Sequence, residues 1–146
     1  MISLGLLLMR IATGGVYVLH GLPKLIGGEG SGKRIPEDVQ RKLGHGFVGS
    51  MEKGGVENIA KMLDSLDVPN PPMMAWVLSL TEFLGGLALI FGWKTRVAAL
   101  GLTVVQVVAI SKVHAPQGAS GSEFNGLLLA ATGALALTGP GKVAID

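Results

Sequence analysis

Four apolar runs and one long polar stretch organise this chain of 146 residues. The first run, residues 2–26, reads "ISLGLLLMRIATGGVYVLHGLPKLI". It meets the requirement of about 20 largely apolar residues for a spanning helix. The second, residues 73–92, follows "VPNPP", where Pro71 and Pro72 set a helix start because a missing N–H costs nothing there. "GWKTR" makes a very short turn, and the third run covers 95–114 before "APQGASGS" breaks it with proline, glycine and serine. The fourth, 123–139, ends at "GPG" and is short for a full crossing, so it is expected either to begin within the headgroup region or to thin the bilayer locally. Inside hydrocarbon each backbone polar group needs a partner within its own segment or a closed barrel. No strand alternation of barrel type is present. The pattern therefore predicts an all-α membrane protein: a four-transmembrane-helix bundle forming one domain over 1–146, with a long, partly helical loop between spans 1 and 2.

That loop, residues 27–72, carries two helix patterns. "IPEDVQRKLG" has proline at the start, acids in the first turn, bases in the last and a glycine stop. "VENIAKMLDSL" aligns Val56, Ile59, Leu63 and Leu66 on one stripe, the spacing of an amphipathic helix. Two short helices are expected, capping the bundle mouth or lying in the interface. In the fourth run Gly126, Ala130, Ala134 and Thr138 recur every fourth residue, a small-residue face suited to close packing within the bundle.

Composition agrees with the pattern. Hydrophobic residues make up 49% and charged residues only 15%, well below the roughly 25% of an ordinary soluble domain. The net charge of +2 comes from scattered bases, so no nucleic-acid footprint exists. Cysteine is absent, which removes disulfides, thiolate metal sites and thiol redox chemistry from this chain. No basic region precedes the first apolar run, so that run reads as a retained span rather than a cleaved leader. Lys94 and Arg96 in the short turn, with Lys142 near the end, place both termini on the cytoplasmic side by the positive-inside rule. The six Lys or Arg residues of the long loop pull the other way, offset by seven acids.

The charges inside the apolar runs carry the chemistry. At about 1.5 Å per residue, Arg10 and Glu82 reach similar depths near the bilayer middle. His20, Lys24, Lys112, His114 and Glu123 fall in a ring on the side of the long loop. Arg10, Tyr17, Gly21 and Lys24 lie within about 60° of one another on the first helix, so the polar residues line an inward face. Isolated charges in hydrocarbon are costly, so an Arg10–Glu82 pair is expected, structural or proton-linked. Lys24 has the alternative of snorkelling toward headgroups. His20, His114 and Glu123 offer nitrogen and oxygen ligands, but Lys24 and Lys112 beside them would repel a cation, so no metal is expected. A quinone or similar ring wants an apolar slot with a few polar groups. His20, Lys24, Tyr17 and His114 supply donors for it, and Trp76 a stacking surface. His45 reads as solvated and Trp93 as an interface anchor.

The stretches "LLLMRIATGGVYVLHGLPKL", "LDVPNPP", "TEFLGGLALIFGWKTRVAAL", "AISKVHAPQG" and "EFNGLLLAATGALALTGPGKVAID" resemble the DoxX family of small bacterial membrane proteins. The order of Arg10, His20, Gly21, Lys24, Glu82, Gly85, Gly86, Thr95, Arg96, His114 and the Gly139-Pro140-Gly141 ending carries the likeness. The resemblance implies a four-helix bundle in the bacterial cytoplasmic membrane, related to the DoxD-type subunit of a thiosulfate:quinone oxidoreductase. It also implies redox partners, among them complexes with superoxide dismutase and a sulfurtransferase. The first loop departs from the family pattern in being longer and more charged. Three readings follow: a subunit of a quinone-linked redox complex, without covalently bound cofactor and not an enzyme by itself; a scaffold docking a partner through residues 27–72; and a small proton-coupled transporter using Glu82, while four helices with a small-residue stripe also suit a homo-oligomer.

Overall fold

The structure, a computed structural model, describes residues 1–114 and 118–146, with the backbone alone at His114, Ala119 and Ser120. Every regular element among the described residues is helical. The helices are α1 (Ile2–Ile26), α2 (Glu37–Leu43), α3 (His45–Lys53), α4 (Val56–Ser65), α5 (Pro71–Phe91), α6 (Thr95–Ala109) and α7 (Ala119–Thr138). A π-helical turn, Ile110–His114, prolongs α6. Three helical stretches, Ile2–Ile26, Pro71–Phe91 and Thr95–Val113, are long and apolar enough to cross a membrane. The chain forms two compact units, residues 1–18 with 84–146, and residues 19–83.

In the first unit Tyr17, Leu89, Ala99, Leu102, Leu128 and Leu135 form the buried core. The Thr103 and Thr132 hydroxyls lie 3.0 Å apart between α6 and α7. The buried face of α7 is Leu128, Thr132 and Leu135, while Ala130 and Thr138 of the expected small-residue stripe are exposed.

The α5–α6 turn is closed on both sides. Gly92, at φ +71°, ends α5 in a Schellman arrangement. Its N–H donates to Leu89 O at 3.2 Å and the Trp93 N–H to Ala88 O at 2.9 Å. A Cβ at Gly92 would sit 2.6 Å from the Ala144 Cβ, so a side chain is excluded by space as well as by φ. On the α6 side, no nearby side chain caps the helix. Asp146 does it from a distance, its two carboxylate oxygens accepting from Lys94 N at 2.6 Å and Thr95 N at 2.9 Å. The Thr95 N–H is the main reason that the Asp146 carboxyl is held below its ordinary 3.8, with help from the Lys94 N–H and the Arg10 charge against a smaller opposing effect of burial. A carboxylate at the positive end of a helix is also favoured by the macrodipole.

The second unit contains three loop helices where two are expected. The additional helix, α3, reads "HGFVGSMEK", whose two glycines, Gly46 and Gly49, disguise it as loop. It is held by tertiary contacts rather than propensity. The Met51 carbonyl accepts from Gly28 N at 2.7 Å and from the Ser31 hydroxyl at 2.8 Å. Glu52 accepts from Gly30 N at 2.8 Å and Gly32 N at 2.7 Å, fixing the glycine-rich segment after α1. Pro23 O, near the end of α1, accepts from Gly55 N at 3.0 Å. The α4 stripe behaves as its spacing predicts: Ile59 and Leu63 are buried with Ala75 of α5, flanked by Val56, Met74 and Leu78. The loop is thus a folded helical layer tied to the ends of two spans.

Candidate functional site

The inward face of α1 is as its sequence places it. Arg10, Tyr17 and Gly21 are buried and Lys24 is half-buried. Arg10 and Glu82, the two charges expected to pair, each have partners within their own unit. Arg10, 1% exposed, spends its guanidinium on backbone carbonyls. Nε donates to Leu89 O at 2.9 Å, Nη2 to Ile90 O at 3.2 Å, and Nη1 to Pro140 O at 2.7 Å and Val143 O at 2.6 Å. It therefore supplies a positive charge to the C-terminal end of α5 and ties the 140–143 segment to that end. The physical reason is side-chain direction: Cα–Cβ bonds tilt toward the N-terminus of a helix. Arg10 leans toward the start of α1, whereas Glu82 leans toward the start of α5. Each side chain is thereby aimed at partners toward the start of its own helix.

The same tilt makes a different pair. Gly21 brings α1 against α5, since a Cβ there would lie 2.6 Å from Phe83 N. One turn further along α1, Lys24 leans back while Glu82 leans up toward it. Lys24 Nζ and Glu82 Oε2 form an ion pair at 2.5 Å, with the side chains 23% and 7% exposed. Lys24 does not snorkel; its ammonium is turned toward the interior carboxylate. Ser79, three residues before Glu82 on α5 and so on the same face, is fully buried. An apolar stretch of two helices thus carries a cation and a carboxylate in contact, with a buried hydroxyl about one turn away along α5. Sequence reasoning missed Ser79; its i−3 spacing from Glu82 on the inward face was the available signal.

The other expected residues are distributed as follows. His20 is on the exposed side of α1, and Trp76 is exposed on α5. Tyr17 is packed in the core of the first unit. Lys112 and Glu123 are exposed rather than buried. Both stand near helix ends, where a long side chain can keep its charge in a polar layer. The side chain of His114 lies outside the described residues.

Residues 5–115 match the sequence profile of DoxX. That match covers most of the chain and contains Arg10, Lys24, Ser79 and Glu82. The chain belongs to the DoxX family. A protein of Bacillus subtilis (strain 168) carrying the name "Putative oxidoreductase CatD" is 31% identical over 146 residues, covering 99% of this chain and 86% of the relative. No solved structure matches the chain. The DoxX assignment and the apolar helices make this a membrane protein in contact with lipid.

Proposed function

We propose that this DoxX protein is a membrane subunit of a quinone-linked redox assembly, receiving a ring oxygen of the quinone at Lys24 and Glu82. The observation that carries the reading is the buried Lys24–Glu82 ion pair within candidate membrane helices. Buried ion pairs are weak contributors to stability compared with apolar packing, so a purely structural role is a poor reason for one in hydrocarbon. The ammonium can donate to a carbonyl oxygen, and the carboxylate can accept from a ring hydroxyl. The name of the Bacillus relative supports an oxidoreductase setting.

A four-span topology is part of this reading. Within the first unit, Ser3 Oγ accepts from Lys142 N at 3.3 Å, and Asp146 caps the α5–α6 turn. The start of α1, that turn and the tail therefore share one end of the first unit, which supports α7 as a fourth, returning span. At about 1.5 Å per residue a helix of this length reaches about 30 Å, a bilayer core. Lys94, Arg96 and Lys142 gather at that end, which supports a cytoplasmic placement in a bacterial inner membrane. The loop layer, with its charged outer surface, is the docking face for redox partners; the scaffold reading keeps this face and drops the quinone.

The test is extraction in a mild detergent and mass spectrometry of bound lipids and proteins. Quinone retained by wild type and lost in Lys24→Met and in Glu82→Gln supports the reading. Redox partners retained without quinone turn it into the scaffold reading, and a solitary, ligand-free protein refutes both.

A further inference from the structure

Among the described residues, two helical Ser or Thr hydroxyls, Ser79 and Thr95, are buried without a hydrogen-bond partner; Thr95 opens α6, whereas Ser79 lies mid-helix in α5 with carbonyls of its own helix three and four residues back. Ser50, Ser65, Ser111, Thr103, Thr132 and Thr138 each donate to a carbonyl three or four residues back in their own helix. Such back-bonding is the ordinary way for a helix to absorb a hydroxyl. Ser79 has the same opportunity, yet its Oγ is buried without a hydrogen-bond partner, and the residue is 0% exposed. A buried orphan hydroxyl is destabilising in the ligand-free protein. Ser79 differs from Thr95 in lying one helical turn from a buried ion pair, where a ligand held by that pair would meet its hydroxyl.

We infer that Ser79 is a ligand-contacting hydroxyl of the Lys24–Glu82 site, and that it lets the site hold a ring oxygen in both its carbonyl and its hydroxyl form. The inference rests on the quinone reading above. The chemistry follows from what each group can do. An ammonium only donates, a carboxylate only accepts, and a serine hydroxyl does either. A carbonyl oxygen accepts from Lys24 and from Ser79. A ring hydroxyl donates to Glu82 while its oxygen accepts from Ser79, or it donates to Ser79 and Ser79 donates onward to the carboxylate. In each form no buried group of the three is left unmet. With alanine at 79 the site loses the one partner that can reverse its direction. Lys24 is the most exposed of the three, so its side chain is the part that swings to admit the ligand.

The experiment uses the full chain in lipid nanodiscs and a short-tailed benzoquinone, supplied oxidised and, under argon, as its hydroquinone. Thermal unfolding is followed with and without each form, for wild type and Ser79→Ala. Both forms should stabilise wild type. Ser79→Ala without ligand should melt at or above the wild-type temperature, because it removes an orphan hydroxyl. Its affinity for both forms should fall about tenfold, the worth of one hydrogen bond to a charged or polar site. Equal affinity in the variant, or a lower melting temperature without ligand, overturns the role of Ser79 while leaving the quinone reading in place. Wild type binding neither form overturns both.

Discussion

Replacing Arg10 by methionine tests the reading of α5's end most directly. Methionine keeps the apolar stem and much of the volume, so the loss is one of hydrogen bonds. Leu89 O would retain the Gly92 N–H at 3.2 Å. Ile90 O, Pro140 O and Val143 O would lose the guanidinium donors at 3.2, 2.7 and 2.6 Å. An unmet buried carbonyl costs about 1–3 kcal/mol, and these are partly buried, so the low end applies to each and the sum is about 3–5 kcal/mol. At about 2–4 °C per kcal/mol for a chain of this size, the melting temperature should fall by about 6–20 °C. Arg10→Lys keeps the charge but not the fork, reaches one or two carbonyls and should lose about half as much. Thermal unfolding in detergent, followed by tryptophan fluorescence, measures both, and Trp93 sits in the affected turn. Methionine costing less than about 1 kcal/mol, a range typical of surface changes, would refute the argument. So would a lysine variant as stable as wild type.

Three further outcomes follow from contacts described above. Lys24→Met alone leaves the Glu82 carboxylate buried and unpaired and should cost about 3–5 kcal/mol, whereas Lys24→Met with Glu82→Met should recover most of the loss; a double-mutant cycle in thermal unfolding reads the coupling. Asp146 has a depressed carboxyl pKa, so its stabilising effect is complete above the ordinary value of 3.8 and is lost as pH falls through the folded value. The melting-temperature gap between wild type and Asp146→Asn should therefore be constant near neutral pH and close in acid below 3.8, and a gap that widens in acid would contradict the cap. Glu52→Ala frees the Gly30 and Gly32 amides; trypsin should then cut after Lys33 and Arg34 several-fold faster, while cleavage at Lys94 stays unchanged.

Periodicity made the spans and the inward face of α1 legible, because helix geometry converts spacing directly into direction. The α4 stripe was readable for the same reason, and Ile59 and Leu63 are buried as their positions require. The partners of Arg10 were not readable from side-chain identities. They are backbone carbonyls, which no residue letter announces, and two belong to a segment 130 and 133 residues away. Depth along the helix axis treats charges as points at their Cα and leaves out the tilt of the side chains. The Lys24–Glu82 pair follows once that tilt is included. Helix α3 escaped notice because its glycines are offset by fixed contacts to Met51 and Glu52 that exist only in the folded unit. Ser79 carries no unusual neighbours in the sequence; its lack of a back-bond is visible only in three dimensions.

The carbonyls that receive Arg10 have a consequence for biogenesis. Arg10 is made early, while Pro140 lies 130 residues later. At about 5–20 residues per second, the guanidinium waits on the order of ten seconds for its last acceptors. During that interval α1 carries an arginine with unmet donors, which is most comfortable near polar headgroups or water. The first helix therefore settles to its final depth only when the 140–143 segment arrives, and a nascent chain stalled short of that segment displays an unfinished helix to membrane quality control.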